Sequence, residues 1–190
     1  HPIALIFGLL SFVSYLVEGA VGDWSALYLF EDKGILIEEA VMGVMLFNGT
    51  MCIGRLLGNR LGKHLTSKQV VVGGYLLGSI AMGLIVFLPG HASMYTYLLL
   101  GISLAMIVPN LFSAMGEQNV IPMTQAVATS TMLGYMGILM GPALIGFIAH
   151  GTSLTVAFIV LTTLLVVSAG IGKYAYHLMS KDCGLSEEQI

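Results

Sequence analysis

Six long apolar stretches dominate this sequence and limit what it can fold into. They cover about residues 3–30, 40–57, 70–88, 94–114, 124–149 and 154–179, with short polar connections between them. A helix needs about 20 mainly apolar residues to cross the roughly 30 Å hydrocarbon core of a bilayer. We therefore predict one domain over residues 1–180, a bundle of six spans in lipid, followed by a polar cytoplasmic tail at 181–190.

Composition supports a membrane protein of helices. Charged residues make up only 9% of the chain, where a soluble domain carries about 25%. Every backbone group in lipid must be hydrogen-bonded within the protein, which leaves helices or closed barrels. Barrel strands would alternate in polarity over about 10 residues, whereas these stretches are apolar on all sides and longer. The predicted fold class is an all-α membrane protein with six transmembrane helices.

Several other functions find little support in the sequence. No basic patch with interleaved aromatic residues indicates a nucleic-acid partner. Cys52 lies in an apolar segment and Cys183 in the polar tail, without the spacing of a metal site or a disulfide framework. We predict no metal, no cofactor and no enzymatic activity.

The distribution of Lys and Arg predicts the orientation. With six spans both termini lie on one side, together with the turns after the second and fourth segments. Lys33 alone lies on the opposite side, against six basic residues on the terminal side: Arg55, Arg60, Lys63, Lys68, Lys173 and Lys181. Basic residues near span ends stay in the cytoplasm. We predict a multi-pass protein of the inner cell membrane with both termini cytoplasmic.

Two acids inside the first segment are the strongest functional candidates. Placing an acid near the bilayer centre costs about 3 kcal/mol, so such residues are usually functional. Glu18 lies mid-segment, and Asp23 lies about 7.5 Å further along and about 140° around a helix. Gly19 and Gly22 are candidates for loosening the helix there. Both acids are proton-coupling candidates; the alternatives are an interfacial Asp23 and a Glu18 bonded to a neighbouring helix.

Three further polar or aromatic residues are candidates for lining a substrate cavity. Trp24 is either an interface anchor or an aromatic platform for a ligand. Asn48 lies mid-way along the second segment, and Asn110 follows Pro109 in the fourth. Proline removes a helix hydrogen bond, and broken helices line substrate sites in transporters. Interhelical hydrogen bonding is the alternative role for both amides.

A serine protease is a remote alternative. The run Gly101-Ile102-Ser103-Leu104 resembles the start of the serine motif of rhomboid proteases. Such an enzyme needs a histidine within hydrogen-bond reach of the serine. His150 and His177 lie at segment ends and the second glycine of the motif is missing, so this reading is weak.

The turn after the second segment resembles a known signature. The run Gly54-Arg55-Leu56-Leu57-Gly58-Asn59-Arg60-Leu61-Gly62-Lys63-His64 is similar to the cytoplasmic loop motif G-x-x-x-D-R-x-G-R/K-R/K of the major facilitator superfamily. Asn59 stands where the motif has Asp. The resemblance implies a conformational latch formed by Gly58, Asn59, Arg60, Gly62 and Lys63, weakened because Asn59 carries no charge.

Two further stretches extend this resemblance. Glu18-Gly19-Ala20-Val21-Gly22-Asp23-Trp24 resembles helix seven of a bacterial subfamily near the fucose permeases. The run with Gly137, Gly141, Pro142 and Gly146 is similar to the helix-packing motif of helix eleven. The resemblance implies a C-terminal half, helices seven to twelve, made of two three-helix inverted repeats. The chain also begins with His-Pro, so we expect a fragment that lacks its N-terminal six-helix half.

The resemblance implies a secondary active transporter that moves a small solute by alternating access, coupled to protons. A non-transporting membrane scaffold or solute sensor on the same fold is the alternative. Such a protein would bind a ligand or partner without vectorial flux.

An isolated half would expose the face that normally packs on the other half. We therefore predict that the isolated chain forms a two-fold homodimer. Light scattering in mild detergent, corrected for bound detergent, measures its mass, and a monomer would contradict this prediction.

Overall fold

The computed structural model describes residues 2–61, 65–118 and 122–183, and these residues form helices without any strand. Seven helices follow in chain order: α1 (Pro2–Glu31), α2 (Ile37–Leu61), α3 (Ser67–Phe87), α4 (Gly90–Leu104), α5 (Ile107–Glu117), α6 (Met123–Gly151) and α7 (Leu154–Cys183). In this part of the chain six helical stretches are long and apolar enough to cross a membrane, because α4 and α5 together form the fourth. The predicted all-α fold with six transmembrane helices is confirmed.

A proline explains why the fourth span consists of two helices. In a continuous helix the N–H of residue 109 would donate to the carbonyl of Ala105, but Pro109 has no N–H and its ring crowds that carbonyl. The helix is interrupted at Ala105 and Met106, where α4 ends and α5 begins. Hydrogen bonding resumes at once, since Asn110 N donates to Met106 O at 3.2 Å.

Three turns meet at one end of the bundle, which we call the acidic end. The Lys33 ammonium, in the α1–α2 turn, donates to Val86 O at 2.6 Å and Leu88 O at 2.9 Å. It thereby caps the C-terminus of α3, where a cation is favourable. Burial lowers the pKa of Lys33, and the neighbouring Asp32 carboxylate opposes that effect.

Two more contacts close the acidic end. Glu39, at the start of α2, pairs with His91 at the start of α4 at 2.8 Å. Thr155, at the start of α7, donates to the Asp32 carboxylate at 2.7 Å. The α1–α2, α3–α4 and α6–α7 turns therefore lie at the same end.

A second set of contacts joins helices at the opposite end, which we call the basic end. Ser67, the first residue of α3, donates to Asn110 O of α5 at 3.1 Å. The Ser67 hydroxyl also lies 2.8 Å from the Tyr176 hydroxyl of α7. The chain thus crosses the bundle alternately, as six spans require.

Glycines allow α6 to pack directly on the backbone of α1. Gly137 lies against the carbonyl oxygen of Phe12, and Gly141 lies one turn further on, against that of Leu16. Small residues let helix backbones approach closely in a membrane, where burial of apolar surface does not drive association. The glycine spacing seen in the sequence therefore faces α1.

Pro142 and Gly19 form a matching pair in the same interface. Pro142 cannot donate to the carbonyl of Ile138, so that oxygen loses its usual helix partner. A Cβ added to Gly19 would lie only 2.8 Å from this oxygen, which makes glycine necessary there. Helix α1 runs unbroken through Gly19 and Gly22, so Gly19 provides space for α6 and does not loosen α1.

We predict that Gly141→Ala lowers the thermal midpoint of the protein in mild detergent, because the added methyl group displaces α1 from α6. Gly170→Ala is the matched control, since Gly170 lies in α7 with no atom within 4 Å of an added Cβ. Alanine favours a helix interior by about 1 kcal/mol over glycine, so the control should be neutral or stabilising. Equal midpoints for the two variants would contradict the prediction.

Candidate functional site

A charge pair joins α1 and α2 in the middle of the bundle. Arg55 Nη2 donates to both carboxylate oxygens of Glu18, at 2.9 and 3.1 Å. The Glu18 side chain is 12% exposed and that of Arg55 is 43% exposed. Glu18 is therefore nearly enclosed, whereas the guanidinium group opens onto a surface of the bundle.

Sequence reasoning placed Arg55 with the basic end, and the structure shows a different role. The Arg55 side chain forms an ion pair with Glu18 of the first span, so its charge is neutralised within the bundle. Without Arg55, five basic residues at the basic end against one at the acidic end still indicate the orientation. One signal was available: Arg55 lies inside the predicted second segment, and an acid within a span needs a partner of opposite charge.

Tyr15 lies beside this pair, and a second tyrosine stacks on it. Tyr15, one turn before Glu18, stacks on Tyr135 of α6 with ring centroids 6.4 Å apart and planes 6° apart. The Tyr135 side chain is 64% exposed, and Tyr15 lies within electrostatic range of Glu18 and Arg55. We call these four residues, Tyr15, Glu18, Arg55 and Tyr135, the charged aromatic cluster.

Gly134 of α6 leaves the space in which the Tyr15 ring packs against that helix. A Cβ added to Gly134 would lie 2.6 Å from Tyr15 Cδ2. Nothing in the sequence singled out the two tyrosines, because tyrosine is equally common in helix packing without any function.

A buried tyrosine of α3 holds the part of α1 that precedes the cluster. The Tyr75 hydroxyl of α3 donates to Leu10 O at 2.7 Å and lies 2.8 Å from the Ser14 hydroxyl. Leu10 and Ser14 precede Glu18 on α1, so these bonds fix the position of α1 against α3. The Tyr75 side chain is fully buried, which leaves the opposite side of the cluster as its open side.

Asn48 lies on the same face of α2 as Arg55. Seven residues separate them, which is two helical turns or about 10.5 Å. Asn48 is exposed, and its side-chain nitrogen donates to Val44 O at 3.1 Å. Asn48 is therefore exposed two turns from Arg55 on this face of α2.

Asn110 lies elsewhere, at the basic end. Its side-chain nitrogen donates to Met106 O at 2.8 Å, and its backbone oxygen accepts from Ser67. The side-chain amide is thus a second donor, beside the Asn110 backbone N–H, to a carbonyl at the α4–α5 interruption. The structure does not bring Asn110 into contact with the charged aromatic cluster.

Trp24 and Asp23 lie toward the acidic end of α1. The Trp24 indole donates to Pro142 O at 2.9 Å, and a Cβ on Gly146 would lie 2.9 Å from the indole ring. Trp24 also lines a cavity of about 430 Å³ with Glu31, Asp32 and His150 among its neighbours. Asp23 is exposed beside it.

The predicted latch loop lies mostly outside the described residues. Residues 62–64, with Gly62 and Lys63, belong to that part, as do the side chains of Asn59 and Arg60 in the last turn of α2. Gly58 lies in contact with the Met106 side chain, at the α4–α5 interruption.

Ser103, the candidate nucleophile of the remote protease alternative, hydrogen-bonds within its own helix. Its hydroxyl donates to Leu100 O at 2.8 Å. His150 belongs to the cavity at the acidic end, where α4 starts, so about 20 Å of helix separates that end from Ser103. Across residues 2–61, 65–118 and 122–183, no group of three or more His, Cys, Asp or Glu side chains could hold a metal ion.

We predict that Glu18→Gln and Arg55→Gln each lower the free energy of unfolding, while the double variant loses less than the sum. Either single change leaves an unpaired polar or charged group within a span. An interaction energy of about 1 kcal/mol or more is expected for residues in such contact. Unfolding in mixed detergent micelles measures it.

A matched control cycle uses Glu39→Gln and His91→Gln at the acidic end, where both side chains are about half exposed. An exposed pair should show little coupling. Additive effects at Glu18 and Arg55 would contradict the prediction.

Comparison with known proteins points to membrane transport. No protein-family model matches the chain. It is 41% identical over 168 residues to an uncharacterized MFS-type transporter of Yersinia pestis, covering 87% of the chain and 43% of that protein. It is 30% identical over 170 residues to membrane protein MosC of Rhizobium meliloti, covering 88% and 42%.

A third relative agrees with these two. The chain is 28% identical over 159 residues to an uncharacterized transporter of Sinorhizobium fredii, covering 82% of the chain and 41% of that protein. The chain therefore spans about two fifths of the length of the curated relatives it matches. It is similar over most of its own length to membrane proteins, two of which are named as transporters.

Proposed function

We propose that the chain is the C-terminal six-helix half of a major facilitator superfamily transporter. In this proposal the whole protein has twelve spans and moves a small solute by alternating access, coupled to protons. The observation that carries it is the Glu18–Arg55 pair, in which a carboxylate in the middle of the first span meets a guanidinium group that opens onto a face of the bundle. The match to less than half of an MFS-type transporter supports the twelve-helix arrangement. Placement near the fucose permeases stays a prediction.

The open face supports a second half packed against this one. Asn48 is exposed in the middle of the second membrane-spanning helix, and Arg55 is exposed on the same helix three residues before the span ends at Gly58. Polar side chains at this depth normally face a bundle interior or a water-filled cavity, since contact with lipid is costly. A second six-helix half, facing α1, α2 and α6, would enclose them and create a polar cavity at the midplane.

Glu18 is the proposed site of proton coupling. Its carboxylate is almost enclosed by protein, and Arg55 is its charged partner. A proton on Glu18 would remove the charge that Arg55 binds and so weaken the α1–α2 contact. Loading and unloading that proton on opposite sides of the membrane would couple proton movement to the rocking of the two halves.

The other candidates take different places in this proposal. Asn48 lies in the same stripe as Arg55 and would line the central cavity. Asp23 and Trp24 lie toward the acidic end, where a solute would enter or leave. Asn110 lies at the basic end, beside the helix interruption.

The proposed orientation puts the basic end in the cytoplasm, with the chain termini. Apart from Arg55, five basic residues lie toward that end in sequence, against Lys33 at the acidic end. The latch residues Gly58, Asn59, Arg60, Gly62 and Lys63 would then act at the cytoplasmic surface.

We expect proteoliposomes of the full-length protein to accumulate solute when a pH gradient is imposed. A panel of neutral, anionic and cationic small solutes identifies the class. In the Glu18→Gln variant, accumulation should fall at least about tenfold, because an amide cannot carry the proton. Glu38→Gln, an exposed carboxylate at the start of α2, is the matched control and should keep full activity.

Two results would go against the proposal. Unchanged gradient-driven uptake in Glu18→Gln would exclude Glu18 as the coupling site. Solute binding without flux in the wild-type protein would favour the scaffold or sensor instead.

A further inference from the structure

We infer that the solute is a small organic anion with one carboxylate group, which replaces Glu18 as the partner of Arg55 when Glu18 takes up a proton. This inference rests on the proposed transport function and deepens it. It assigns Arg55 as the substrate-binding residue and predicts that one proton moves with one anion.

The geometry of Arg55 leaves room for a second acceptor. Its Nη2 atom alone contacts Glu18, whereas a guanidinium group carries five N–H donors in a fixed fork. At 43% exposure, the rest of the group opens onto the face that a second half would enclose. That fork matches the two oxygens of a carboxylate.

Charge balance selects an anion over a neutral or cationic solute. Among the described residues, the titratable groups in electrostatic contact with Glu18 are Arg55 from α2, Tyr15 from α1 and Tyr75 from α3, and Tyr135 from α6 stacks on Tyr15. Arg55 is the charged member of this set, and its guanidinium group keeps its proton in proteins. Protonation of Glu18 therefore leaves one positive charge without a counter-ion within a membrane-spanning helix, which is costly. An anion restores neutrality, while a cation adds to the imbalance.

The neighbouring rings suit the body of an organic solute. Tyr15 lies beside the charges, and its ring is nearly parallel to that of the exposed Tyr135, so the two rings offer an aromatic surface there. Asn48 offers an amide about 10.5 Å along the same face of α2. A carboxylate of moderate size can thus bind Arg55 with one end and reach polar groups with the other.

The exchange involves protons and hydrogen bonds but no covalent chemistry in the solute. A proton from the aqueous phase binds a Glu18 oxygen, and the two bonds from Arg55 Nη2 to Glu18 break. The solute carboxylate then accepts hydrogen bonds from Arg55. On the other side the solute leaves, Glu18 releases its proton to water, and the ion pair forms again.

The transport test uses the full-length protein in proteoliposomes, with the membrane potential clamped by potassium and valinomycin. The probes are D-gluconate and L-lactate, their uncharged counterparts D-glucitol and propane-1,2-diol, and choline as a cation. We expect carboxylate uptake driven by the pH gradient and independent of the membrane potential. Protein-free vesicles correct for passive entry.

Other outcomes separate this inference from the proposed function. Gradient-driven uptake of the alcohols or choline, without the carboxylates, would overturn the inference and keep the transporter. Carboxylate uptake driven by the membrane potential alone would overturn the one-to-one exchange. No uptake of any probe would count against both the inference and the proposed transport function.

Substitutions at Glu18 and at Arg55 test the proton-binding role and the solute-binding role separately. Glu18→Gln should keep gluconate counterflow, because Arg55 is still available, but lose its dependence on pH. Arg55→Gln should weaken gluconate binding about tenfold or more, as expected for a charge-assisted hydrogen bond, and Arg55→Lys should recover part of it. Lys173→Gln, an exposed cation on α7, is the matched control. Unchanged gluconate binding in Arg55→Gln would overturn the inference.

A second measurement does not depend on the choice of solute. Cys52 is exposed and lies one turn from Arg55 on the same face of α2. We expect the ratio of its labelling rates with a sulfonate and a trimethylammonium methanethiosulfonate reagent to rise as the pH is lowered over the range in which the protein stays folded, because Glu18 then takes up a proton and loses its charge. Thiol ionisation affects both reagents equally and cancels in the ratio, and Cys52→Ala identifies the labelled site.

Glu18→Gln should show the high ratio at every pH. A wild-type ratio that stays constant over this range would overturn the inference.

Discussion

The ion pair between Glu18 and Arg55 is the interaction on which the rest of this structure depends. Two opposite charges inside a membrane-spanning bundle are tolerated only because each neutralises the other. The pair joins α1 to α2 at mid-depth and directs a guanidinium group onto the open face. It therefore acts both as a contact that holds two helices and as a chemical group that a proton can release.

Helix α1 is held from several directions, and this makes it suitable for coupling. Its backbone packs on α6 at Gly137 and Gly141, and its Leu10 carbonyl accepts a hydrogen bond from the Tyr75 hydroxyl of α3. Its contacts with α2 are the packing of Gly43 on Leu29 and the ion pair. Of these contacts, the ion pair alone changes when a proton binds, so a change at Glu18 would act first between α1 and α2. The prolines in α5 and α6 then place weak points in the neighbouring helices.

Much of the fold could be predicted from sequence, because span length and apolarity are local properties. The six helices, the all-α class and the interruption near Pro109 followed from residues that lie next to one another in the chain. Glu18 also stood out, because an acid in an apolar stretch is costly whatever surrounds it. Arg55 was assigned to the cytoplasmic end, since its position in the chain does not reveal that its long side chain turns back toward α1.

The sequence by itself determined that this chain has six membrane-spanning stretches and carries an acid within the first of them. The tertiary structure alone decided what meets that acid: Arg55 from α2, the Tyr15–Tyr135 stack and the buried Tyr75. The reason is physical. Helical periodicity tells which residues share a face, but only the packing of separate helices decides which faces meet, and so which charges become partners.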